Sequence, residues 1–391
     1  MLPNISAGGS SFKNDLKQAY HTSGQYVVQP KYYSSNGNLT LRQPLFRPYL
    51  LFNYQQANAT VEAAEATLAQ GEQDMAVRVS SAYFEALMAQ DQLSFVTAQV
   101  NAYKGQMNQA SKAFEAGLGT RTDIDEAQAR YDLAVAQQLE AAQNTRTTRH
   151  QLEALINEPV TELSPLLPQM LLLEQPEPNV LENWLEMAES SNATLKSLKA
   201  GLEAARREVS KAGSGHLPTV DFVLQRTTGE SDNPYSGYTN LGYTNNQAGI
   251  QVNVPIFSGG YTSAQSSQAI AEQERQRMRL DAARREIEIK VRKEFQGVSE
   301  GILKVKAYEQ AEKSSEQLVL SSQKGILAGV RSSIDLLNAQ QQLMNSRRDL
   351  AQARYSYILA KIRLLGLVNG ITEETLVRIN NHLQPVPETD S

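Results

Sequence analysis

The residues of this chain whose types and spacing could do chemistry occur twice. In EAGLGTRTDIDEAQA (115–129) a glycine, a hydroxyl and a carboxylate stand at Gly117, Thr120 and Asp123; in LAGVRSSIDLLNAQQ (327–341) the same types stand at Gly329, Ser332 and Asp335, an offset of 212. Hydroxyl-x-x-carboxylate is the pattern of a capping box, in which two side chains satisfy each other's backbone N–H groups at the start of a helix. A glycine three residues earlier releases the preceding helix, because it takes left-handed backbone angles without a Cβ clash. Each stretch therefore reads as a tight turn between two helices, and its first chemistry is structural.

Other chemistry fails on spacing. The four histidines, His21, His150, His216 and His382, have no ligand partner at helical spacing and no HExxH frame, so solvated or hydrogen-bonded side chains are the reading over metal ligands. GLGTRT has the glycines of a phosphate loop but follows a helical pattern instead of a strand and lacks the closing Lys-Ser/Thr. No Gly-x-Ser-x-Gly elbow occurs, and with no cysteine there is neither a thiolate nucleophile nor a disulfide framework. No enzyme and no cofactor is expected. A net charge of -5 argues against nucleic acid as a partner.

The elements that must carry the two turns follow from composition and period. Of 391 residues only 7% are aromatic, and with a mean hydropathy of -0.43 the long Ala, Gln, Glu, Arg and Leu stretches point to long helices. No apolar run is long enough for a membrane-spanning helix. The duplication extends well beyond the turns: LTLRQPLF (39–46) matches IQVNVPIF (250–257), and LPNIS (2–6) matches LPTVD (217–221). A first repeat, 1–156, is expected to hold two strands within 2–46 and long helices at 53–116 and 121–156. A proline-rich connector, 157–178, leads to a second repeat, 179–368, with a helix at 179–213, strands within 217–257 and long helices at 260–328 and 333–367. A short helix and polar end, 369–391, follow.

Ile250, Val252, Val254 and Ile256 alternate with polar neighbours, as in a half-buried strand, while TTGESDNPYSGYTNLGYTNNQ (227–247) and SGQYVVQPKYYSSNGN (23–38) read as exposed loops. In the helices, Leu336, Leu343, Leu350, Tyr357 and Leu364 recur every seven residues, and Ala339, Ser346, Ala353 and Ala360 repeat three residues later. Two such stripes call for helix neighbours on two sides. As one helix, 53–116 would reach about 96 Å. The second repeat has a helix before its Leu-Pro; by symmetry one is expected ahead of Met1. Four strands with one apolar face do not close a membrane barrel, so several copies are expected to pool strands into a tube.

On GHLPTVDF (215–222), VPIFSGGY (254–261), AFEAGLGTRTDIDEAQARYD (113–132) and the Gly-x-Arg-x-x-x-Asp of GVRSSID (329–335), the chain resembles the TolC family of outer-membrane exit ducts. The resemblance implies an α+β membrane protein: a homotrimer whose four strands per copy make a twelve-stranded barrel in outer-membrane lipid, continued by a long periplasmic barrel of helices. It also implies two partners, a periplasmic adaptor (membrane fusion) protein and an inner-membrane transporter, in efflux or type I secretion. The two turns become hairpin tips at the periplasmic entrance, with Gly117, Leu118, Gly329 and Val330 facing the adaptor and Thr122, Asp123, Arg331, Asp335 and Asn338 forming the gate. There Arg331 would bond the neighbouring Asp123, and Asp335 would make an acidic ring. Ile326 stands where family gates have a tyrosine, and Asn338 where they have a second acid, so a weaker closure is expected. The competing reading is a soluble oligomeric coiled-coil scaffold.

Overall fold

The computed structural model describes residues 2–20, 26–28, 31–167, 171–233, 241–381 and 383. His21, His382, Pro168, the loop centre 234–240 and the polar end 384–391 lie outside the described residues. Among the described residues the strands run in chain order as β1 (Asn4–Asp15), β2 (Gln18–Tyr20), β3 (Tyr26–Val28), β4 (Lys31–Phe46), β5 (Thr219–Ser231) and β6 (Leu241–Asn253). The α-helices among the same residues are α1 (Pro48–Glu115), α2 (Arg121–Ile156), α3 (Leu181–Ser191), α4 (Ala193–Gly213), α5 (Tyr261–Leu327), α6 (Ser333–Leu367) and α7 (Glu373–Asn380). They form two compact units, one of Met1–Ala63 with Leu198–Leu280, the other of Ala64–Ser197 with Asp281–Ser391. Each takes residues from both halves of the duplication.

The first unit holds an antiparallel sheet in the order β1-β4-β5-β6, with β2 and β3 paired in a sheet of their own. The central pair, β4 with β5, joins one repeat to the other. The strands are longer than the alternating pattern foretold: Lys31–Asn38, Thr227–Ser231 and Leu241–Gln247 pair fully, although their polar sequence reads as loop. Backbone ladders satisfy their N–H and C=O groups whatever the side chains, and β propensity yields to that context. At the other end β6 stops at Asn253 and Val254–Phe257 leave the ladder, because Pro255 has no N–H to donate. Pro44 produces the register shift between β4 and β5 for the same reason.

Arg47 links the sheet to the first helix. Its Nε and Nη2 donate to the two carboxylate oxygens of Asp221, at 2.8 and 2.5 Å, and Asp221 is only 3% exposed. Pro48 then opens α1 five residues earlier than the expected start at 53. Proline at a first helical position loses a hydrogen bond that would be unmade there in any case.

The stretch 179–213, expected as a single helix, is two. Asn192 breaks it with ψ of 124°, its Oδ1 accepting from Leu195 N and its Nδ2 donating to Leu367 O. Ser191 Oγ donates to Val368 O. The two side chains thereby cap the carbonyl end of α6, a task for which Ser and Asn compete better than they hold a helix interior.

In the second unit α6 is the axis of packing. Leu336, Leu343, Leu350, Tyr357 and Leu364 are buried, and so are Ala339, Ser346 and Ala360 of the second stripe. Against α5 the seam is tight: a Cβ on Gly297 would lie 3.1 Å from that of Ala360, one on Gly301 would lie 3.3 Å from Tyr357, and Ser315 Oγ meets Ser346 Oγ at 3.1 Å. Arg347 reaches Glu312 and Glu316, and Arg354 reaches Glu309, along the rim of that seam. Against α1 the contacts are neutral and polar: Gln341 Oε1 accepts from Gln99 Nε2 and Tyr103 Oη, and Gln106 Nε2 donates to Gln340 Oε1. Tyr355 Oη donates to Asp91 at 2.6 Å. Burial of this pair pushes both groups up, the phenol far above its ordinary range with the Asp91 charge adding to the effect. The connector is strapped to α6 through Tyr357 Oη, which accepts from Glu174 N and donates to Glu174 O, each at 2.9 Å.

Candidate functional site

The two turns repeat one another bond for bond. At the end of α1, Gly117 has φ of 73° and Ala113 O accepts from the N–H groups of Leu118 and Gly119 at 2.8 and 3.1 Å. At the end of α5, Gly329 has φ of 68° and Gly325 O accepts from Val330 and Arg331 at 2.9 and 3.2 Å. This is the six-to-one closure of a helix whose C′ residue is left-handed, which only glycine adopts without strain. Both capping boxes follow. Thr120 N and Oγ1 donate to Asp123 Oδ2 at 2.9 and 2.7 Å, and Ser332 N and Oγ donate to Asp335 Oδ2 at 3.0 and 2.9 Å. All four bonds land on Oδ2, so among the described residues neither Oδ1 has a partner, and each can accept from another chain.

These bonds hold both carboxyls below their ordinary range: at Asp123 through the Thr120 side chain first and its backbone second, at Asp335 through the Ser332 backbone, then its side chain, with Arg331 adding a smaller pull. A carboxyl whose folded pKa is depressed contributes stability that is complete above its unfolded pKa, about pH 4, and is lost as acid takes the pH down through the folded value. Thr120→Ala is expected to cost the first tip about 1 kcal/mol. Hydrogen exchange at the amides of 122–124 should quicken by about fivefold. In the parent the same amides should lose protection progressively below about pH 4.

Arg331 is exposed and makes no ion pair among the described residues. Its stem lies over Gly325, where a Cβ would come within 2.8 Å of Arg331 Cγ, and its Nη1 stands 3.4 Å from the buried Ser322 hydroxyl. Arg331, Asp335 and Asn338 line one groove of about 470 Å³, with Ser315, Leu318 and Gln342 as further walls. Thr122, exposed, and Asp123 sit at the other tip, apart from that groove. Leu118 is 86% and Val330 77% exposed, so both tips present bare apolar side chains. Arg130 is the residue that sequence reasoning missed: its Nη2 donates to Asn338 Oδ1 at 2.9 Å and to Glu126 at 3.1 Å. The Glu126/Arg130 spacing of a helical ion pair was the available signal, but nothing in it pointed to α6.

Both tips and the edge strand β6 thus leave apolar side chains exposed. Residues 2–158 and 184–370 match the family described as "Outer membrane efflux protein". The alkaline protease secretion protein AprF of Pseudomonas aeruginosa is 35% identical over 345 residues, covering 88% of this chain and 71% of its own. The outer membrane protein TolC of Escherichia coli is 29% identical over 404 aligned residues, 100% of this chain and 79% of that one. In fold, the solved structure of VceC from Vibrio cholerae superposes with a TM-score of 0.76 at 16% identity, covering 94% of this chain and 87% of the other. With both halves of the duplication inside the match, the conclusion is direct: this chain belongs to the outer membrane efflux protein family.

Proposed function

We propose that three copies of this chain assemble into one duct whose helix-hairpin tips form an iris at the periplasmic end, closed at rest by a bond from Arg331 of one copy to Asp123, with Thr122 beside it, of the next. The coarser statement follows from the family: the protein is an outer-membrane channel of efflux or type I secretion and catalyses no reaction. The observation that carries the assembly of copies is the sheet. Among the described residues it ends on β1 and β6 with no strand beyond either, every residue of β6 is exposed, and Ile250 and Val252 are 67% and 59% exposed. Unpaired edges of that length need another strand, and an apolar face needs lipid. On α1, Tyr54, Val61, Leu68 and Met75 recur every seven residues and are 47% to 66% exposed, the seam of a helix whose neighbour is another copy.

In this reading Gly117, Leu118, Gly329 and Val330 meet a periplasmic adaptor, which in turn couples the duct to an inner-membrane transporter, and Asp335 with Asn338 sets the charge at the constriction. A soluble scaffold, the competing reading, has no use for a lipid-facing strand and is not the habit of the family. The test is Arg331→Ala in trimers reconstituted into planar bilayers. Three partly exposed pairs at ~0.7 kcal/mol each amount to about 2 kcal/mol, so the open-to-closed ratio should rise roughly thirtyfold. Unchanged conductance would remove Arg331 from the gate.

A further inference from the structure

We propose that Arg130 is a second positioning residue of the gate, the latch by which α2 of the first hairpin holds Asn338 of the second; the proposal rests on the duct reading above. The two bonds of its guanidinium differ in kind. The one to Glu126 lies within α2, whereas the one to Asn338 crosses between hairpins at 2.9 Å. The crossing bond belongs to a single layer: Gln106 meets Gln340 beside it, and Val100, Tyr103, Ala134 and Leu337 form an apolar cluster behind it. Among the described residues, no side-chain hydrogen bond or ion pair joins the two hairpins between this layer and the turns at Gly117 and Gly329. The tips beyond it are tied only within themselves, so the layer is the pivot about which one tip moves against the other.

Two features make the bond one that can let go. Asn338 is neutral and offers a single acceptor here, and Glu126 keeps hold of the guanidinium when Asn338 leaves, so release strands no unpaired cation. Asn338 is also a wall of the groove that carries Arg331 and Asp335. Whatever enters that groove presses on the latch's acceptor, and the pull is passed to α2. The neutral residue at 338 thus has a use of its own: it sets a closing strength that a partner at the groove can overcome.

The test uses the full-length protein as trimers in planar bilayers, with open probability as the readout and heat dissociation of the trimer as the control for folding. Arg130→Ala and Asn338→Ala should each raise the open-to-closed ratio by about tenfold while the trimer dissociates at the parent's temperature. The double variant should go no further than either single one, because both remove the same bond. Asn338→Asp turns the bond into an ion pair and should lower open probability below the parent's, an effect that disappears in the Arg130→Ala background. The lowered open probability of Asn338→Asp by itself is readable even if Arg130→Ala assembles poorly. Parental open probability in Arg130→Ala, additive effects of the two alanines, or an Asn338→Asp channel gating like the parent would each overturn the latch. Those results leave the Arg331 gate standing if Arg331→Ala still opens the channel, whereas an inert Arg331→Ala sinks the gate itself.

Discussion

Asp221→Ala is expected to destabilise the sheet-bearing unit by about 3 kcal/mol. The aspartate is 3% exposed and takes both Nε and Nη2 of Arg47, with Arg42 Nε a further 3.9 Å away. Removing it leaves a half-buried guanidinium with no counter-charge, at the point where β4 hands the chain to α1. Because about a third of the Arg47 side chain reaches water, the loss falls toward the lower end of what breaking a buried pair costs. Asp221→Asn, which keeps one acceptor for Arg47 and gives up the charge, should lose about half as much. Heat dissociation of the detergent-extracted trimer is the measurement. A variant with the parent's dissociation temperature would mean that the pair is decorative.

Ser346→Leu should cost about 3 kcal/mol in the other unit through a different cause, overpacking. Ser346 is buried and faces Ser315 across 3.1 Å, in a seam where Gly297 and Gly301 already admit no larger residue without movement. A leucine there must push α5 off α6, and it orphans the Ser315 hydroxyl as well. Ser346→Ala separates the two effects: it leaves the seam closed and removes only the hydrogen bond, for a loss of about 1 kcal/mol. Urea unfolding followed by far-ultraviolet circular dichroism checks both. If leucine costs no more than alanine, the seam has slack that the 3.1 and 3.3 Å approaches deny.

Both turns were legible in the sequence, because their signals are local: a glycine at the left-handed position and a hydroxyl and acid three apart decide the backbone wherever the rest of the chain goes. The buried stripes of α6 were legible too, since a seven-residue period survives any choice of neighbour. The polar strand segments around Asn36 and Asn245 were not, because their order comes from backbone ladders, Asn36 to Gly229 in the other repeat and Asn245 to Thr227 across its own hairpin, which no alternation of side chains encodes. Nor was the break at Asn192 legible, since its reason is the carbonyl end of α6. Of the candidate site, residue types and tips could be read, but the bond from Arg130 to Asn338 depends on how α2 and α6 are phased in space.

The turns at Gly117 and Gly329 take their shape from main-chain bonds and from caps at Thr120 and Ser332, and ask nothing of Leu118 or Val330. Those two outward side chains are therefore free to be exchanged like the bit on a fixed handle. If the tips dock a partner as proposed above, a duct re-tooled for a different one would need new residues at 118 and 330 and no new fold.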